Sequence, residues 1–131
     1  VPAAVRARRV AAVNPTALAN VLMDAELVPE AVAREGVGAV TAERLAAAAA
    51  GGRVVKMVCA AERRSAGVAA SVRAVDLALD HPLAGARGTS SVLRITGDLV
   101  GTVVVAEEAP DLRTTAYGVI ADLFEVADRL G

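Results

Sequence analysis

The chain has 131 residues, a formal net charge of −1 and a hydrophobic fraction of 55%, which suits a single domain, 1–131, with one core. The near-neutral balance gives no electrostatic case for a nucleic-acid or anionic-membrane partner. One cysteine, Cys59, and one histidine, His81, exclude an internal disulfide and argue against a zinc site, so no metal is expected.

Much of the apolar fraction is Ala and Val, and Tyr117 and Phe124 are the two aromatic residues. A core of small side chains follows. Among the 14 basic residues only Lys56 is a lysine, a skew that reads as genome composition rather than phosphate binding. Cys59 lies in the apolar run VVKMVCAA, which predicts a buried, inert thiol. No apolar stretch reaches the roughly 18 residues of a membrane span, and no signal-peptide pattern is present. A cytoplasmic protein without a membrane partner is expected. Val1 stands where a starting Met would be, so processing or a longer parent chain is expected.

Residues 3–23 carry apolar side chains at three- and four-residue steps (Val10, Val13, Ala17, Leu18, Val21), which predicts a helix. Pro15 lies inside it and predicts a kink or break near Asn14. Arg6, Arg8 and Arg9 read as its solvated face. A connector follows, with a helical turn over 29–34 and a stop at Gly36. Thr41 caps AERLAAAAA, and Gly51 and Gly52 end it. Two β-branched runs, 53–61 and 68–79, read as a hairpin joined by ERRSAG. A second hairpin turns around Gly97 and Asp98. The last helix, about 114–130, has the clearest stripe: Ala116, Val119, Ile120, Leu123, Phe124 and Ala127. Helices, four strands and a closing helix predict an α+β fold. Its largely antiparallel sheet of about four strands would have one side covered by helices. The other side is available to a second copy.

There is no G-x-G-x-x-G fingerprint and no P-loop, so no close backbone approach to a nucleotide's phosphates is provided. No cofactor is expected. Asp80, His81, Ser90 and Ser91 share one loop, but short-range neighbours rarely make a catalytic triad. Histidine is the residue type suited to proton transfer near neutral pH, which makes His81 the candidate catalytic residue. The competing reading, which we favour, is that it shapes the turn before Pro82. Asn14, Ser90, Ser91, Thr115 and Tyr117 are the candidate ligand-binding residues. Ser90, Ser91 and Thr115 serve equally well as caps, and Tyr117 falls at the rim of the helical stripe. Glu35 is expected to pair with an arginine.

Three stretches resemble homoserine dehydrogenases. REGVGAVTAERLAAAAAGGRVVKMVCAAE is similar to an "EGI..IT" segment followed by a helix, a glycine and an "IKL" strand. HPLAGARGTSSVL resembles the family's "HPLA…G..NA" loop, and TTAYGVIADL the "TA…V..DL" start of a helix. The matches keep their order over roughly residues 10–125. The resemblance implies the later part of a substrate and dimerisation domain, without the Rossmann half. VAAVNPTALANVLM is similar to the family helix that carries an Asp and, four residues on, a Lys. These serve substrate binding and proton transfer. On this alignment the Asp falls at Val10, the Lys at Asn14 and the family's loop Asn at Ser91, while Lys56 matches the "IKL" lysine. Valine carries no charge and asparagine cannot shuttle a proton, so the resemblance implies lost dehydrogenase chemistry.

Three readings follow. The first is a divergent stand-alone domain that binds a small amino-acid-like or specialised metabolite. It would act as a cofactor-independent isomerase, lyase or cyclase. The second is a non-catalytic dimerisation or interaction subunit, with a separate nucleotide-binding chain as candidate partner. The third is the C-terminal fragment of an NAD(P)-dependent enzyme, which the loss of the Asp and Lys disfavours. A homodimer is expected from the resemblance.

Overall fold

A computed structural model describes residues 3–131, with side chains from Ala12 onward. Val1 and Pro2, and the side chains of Arg6, Arg8, Arg9 and Val10, lie outside the described residues. The chain divides into two compact units, Val1–Leu79 and Asp80–Gly131.

The first unit opens with helix α1, Ala3–Met23, which contains Pro15. The break expected near Asn14 does not occur. Proline removes one backbone donor, and the flanking alanines keep the helix favourable. Thr16 is buried and donates its hydroxyl to the Ala12 carbonyl at 2.8 Å, closing a polar group inside the packed face. A 3-10 turn, Pro29–Ala31, precedes the two-residue strand β1, Ala33–Arg34. The helical turn expected over 29–34 is thus shorter, because its second half pairs with a strand. A second 3-10 turn, Val37–Ala39, leads to α2, Ala42–Ala50. Thr41 caps α2 by accepting from the Arg44 N–H at 3.2 Å. Gly52 follows at φ +66, a left-handed value that glycine adopts without a Cβ clash.

Strands β2, Arg53–Arg64, and β3, Gly67–Ala78, form an antiparallel hairpin whose turn is Ser65 and Ala66. Both strands run further into the ERRSAG stretch than their β-branched cores predict, since Gly67 at φ +113 permits a tight turn. The sheet order is β1-β3-β2, with β1 parallel to β3 through Ala33–Ser71 and Arg34–Val72. Side chains alternate across a sheet. Ala70 and Val72 therefore share one face, where they bury against Ala12 and Val32, with Leu27 and Ala61 alongside. The expected core of small residues is present: Ala19, Ala48 and Ala74 are buried as well, and Leu77 is buried on the other face of β3.

The second unit begins with a 3-10 turn, Pro82–Gly85. Strands β4, Ser91–Gly97, and β5, Gly101–Glu107, pair antiparallel as a separate two-stranded sheet. The architecture is α+β, with its four long strands antiparallel in pairs. Helix α3 runs Leu112–Leu130 and begins two residues before the apolar stripe predicts, because Asp111 is its cap. The stripe is present but uncovered: Ile120 is 51% exposed and Phe124 69%.

Candidate functional site

The loop before β4 is held by its own polar groups. Proline disfavours helical backbone in the residue before it, and His81 is accordingly extended, at φ −69 and ψ 133. From there its carbonyl accepts from the Ala84 N–H at 2.8 Å, and its Nδ1 accepts from the Leu83 N–H at 3.2 Å. His81 is thus the N-cap of the 3-10 turn. An accepting Nδ1 places the ring proton on Nε2. Ala84, within the turn, is buried.

Ser90 ties this loop to the connector after β5. Its Oγ accepts from the Ala109 N–H at 2.9 Å, and Ala109 has φ 44, an uncommon value for a residue with a Cβ. Ser91 donates to Glu107 Oε2 at 3.4 Å across the β4–β5 pair. Thr115 is exposed and bonds the Asp111 carbonyl through its backbone N–H at 3.4 Å. The capping role open to Thr115 falls instead to Asp111. That carboxylate accepts from the Arg113 and Thr114 N–H groups at 2.9 and 3.0 Å. Tyr117 is 75% exposed. Asn14 lies exposed on α1, in the other unit. Ser90 and Ser91 therefore meet at the β5 end, with Asp111 close by in sequence. Val10, the other alignment position, lies outside the described side chains.

A denser polar cluster lies in the first unit. Arg44 on α2 donates to Asp76 Oδ1 from Nε at 3.1 Å and from Nη2 at 2.8 Å, and to the Ala74 carbonyl at 3.1 Å. Glu35 lies 3.9 Å from the same guanidinium and accepts from the Ala74 N–H at 3.2 Å. The arginine expected to pair with Glu35 is therefore Arg44. Arg53 donates to the Asp76 carbonyl at 3.0 Å. Sequence spacing shows neither Asp76 nor this convergence, because the partners come from α2, β3 and the β1 exit. Asn20 also escapes sequence reading. Its amide accepts from the Leu27 N–H at 2.9 Å and donates to the Leu27 carbonyl at 3.0 Å, which fixes the exit from α1. Beside it, Asp24, Ala25, Glu26, Leu27, Arg63, Gly67 and Val68 line an open hollow of about 410 Å³.

Cys59 is exposed, against the expectation of burial. It sits on β2, the edge strand of its sheet, opposite Val72. Partial burial still raises its thiol pKa, which keeps the nucleophilic thiolate scarce near neutral pH. Among the described residues no group of three His, Cys, Asp or Glu is placed to hold a metal, and no helix is long and apolar enough to cross a membrane.

The family model for homoserine dehydrogenase matches residues 10–124. The chain belongs to the homoserine dehydrogenase family. An NAD(+)-dependent homoserine dehydrogenase from Pseudomonas canavaninivorans is 30% identical over 110 residues, which are 83% of this chain and 31% of that protein. The chain thus spans about a third of that relative's length. The homoserine dehydrogenase of Thiobacillus denitrificans superposes with TM-score 0.78 at 25% identity, over 86% of this chain and 26% of that one. The Staphylococcus aureus homoserine dehydrogenase at pH 6.0 gives TM-score 0.79 at 22% identity, over 92% and 30%, and shows the shared fold.

A nicotinamide dinucleotide does not fit the N-termini of α2 and α3. Phosphates favour an uncapped helix N-terminus, where free N–H groups meet the positive end of the dipole. At α3 those donors are taken by the Asp111 carboxylate. At α2 Thr41 takes one, and Glu43 adds a carboxylate whose pKa is lowered by its own backbone N–H and by Thr41. Both ends are anionic and would repel phosphate.

Proposed function

We propose that this chain is a non-catalytic assembly module of the homoserine dehydrogenase type, self-associating as a symmetric homodimer and leaving nucleotide chemistry to a separate chain. The observation that carries this reading is the contrast between its polar and apolar groups. His81 Nδ1, Ser90 Oγ and Asp111 Oδ1 each accept from backbone N–H groups, whereas large apolar side chains remain uncovered. On α1, Val13, Val21 and Leu22 are 49%, 81% and 55% exposed, although the opposite side of that helix is buried. Large apolar side chains left exposed opposite a buried side mark a surface suited to association.

A second copy suits the β2–β3 face turned away from α1. By register, that face carries Val54, Val58, Ala60, Ala69, Ser71 and Val75, with Lys56, Arg73 and Glu62 among them, while Leu77 at its Val54 end is already buried within the chain. Both charge signs on one face permit complementary pairing about a two-fold axis. The metabolite-binding reading ranks behind, because Ser90 and Ser91 have partners within the chain. Sedimentation velocity between 1 and 100 μM, together with a homoserine oxidation assay using NAD+ and NADP+, tests the proposal. It expects a dimer without turnover. A persistent monomer, or turnover by this chain alone, overturns it.

A further inference from the structure

We draw no further inference here: the strongest candidate, the apolar face of α3 formed by Ala116, Val119, Ile120, Leu123, Phe124 and Ala127, carries nothing because no observation in the structure shows what covers it.

Discussion

Arg44 and Asp76 are joined across 32 positions of sequence by two hydrogen bonds from one guanidinium to one carboxylate oxygen. With the Ala74 carbonyl as third acceptor, Arg44 ties α2 to β3. Its side chain is 31% exposed and that of Asp76 39%, so solvent screening reduces the ion pair well below a buried one. Arg44→Ala is expected to cost about 1–2 kcal/mol in urea denaturation. Asp76→Asn keeps an accepting oxygen and should cost less. High salt should narrow the gap between parent and Arg44→Ala. An Arg44→Ala chain as stable as the parent would show that this tie contributes nothing.

His81 yields a prediction that separates shape from chemistry. His81→Ala removes the Nδ1 acceptor and should lower stability by about 0.5–1 kcal/mol, as the loss of an N-cap does. Asn is a strong N-cap and should recover most of that loss. Thermal melts of the two variants decide the matter. If Asn melts no higher than Ala, the cap is not what His81 provides.

The α3 cap responds to acid. The Asp111 carboxyl is held below its ordinary pKa, first by the Thr114 N–H, then by the Arg113 N–H and the Thr114 hydroxyl. A depressed folded pKa contributes stability that is present above the unfolded value, about 3.9, and is lost as pH falls through the folded one. Amide exchange at Arg113 and Thr114 should therefore accelerate in that acid range. Asp111→Asn should remove this pH dependence while keeping the cap. Exchange that is flat through the range would refute the link.

What was legible in the sequence was local. Thr41, the alanine run and the Gly51–Gly52 stop act within one helix, so α2 can be read residue by residue. The β2–β3 hairpin is announced by its β-branched runs. Strand β1 is two residues long and exists only because Ser71 and Val72 lie beside it, a partnership no local pattern signals. The α3 stripe is legible as a pattern, but amphipathicity says which face seeks cover and not whether cover is present. Cys59 fails for a related reason: an apolar run does not distinguish a central strand from an edge. Of the candidate site residues, His81 and Ser90 lie in the loop before β4 and Ser91 opens that strand. Their acceptors and donors, including Ala109 and Glu107, come from a strand and a connector beyond the reach of spacing.

The alignment at α1 has its own test. Val10→Asp combined with Asn14→Lys restores the residue types that the resemblance assigns to proton transfer. The capped N-termini of α2 and α3 offer a nucleotide phosphate no home, so the double variant alone should give no homoserine-dependent reduction of NAD+ or NADP+. Reduction above the parent background would mean that a cofactor site exists in this chain after all.

The last prediction concerns the β2–β3 face turned away from α1. Val58 is half-buried there and stands opposite Arg73 in the β2–β3 register. In a single copy, Val58→Glu gains an oppositely charged cross-strand neighbour, a pairing that favours the hairpin by roughly 0.2–1 kcal/mol. The monomer should therefore keep its far-ultraviolet circular dichroism spectrum. In a symmetric dimer through this face, each added carboxylate would lose its hydration even while paired with Arg73, and that desolvation should weaken association. Val58→Thr changes shape little and adds no charge, so it should associate nearly as the parent does. Sedimentation equilibrium of the three proteins is expected to place the parent and Val58→Thr as dimers and Val58→Glu as a folded monomer. Equal dimer affinity for all three would remove this face from the interface.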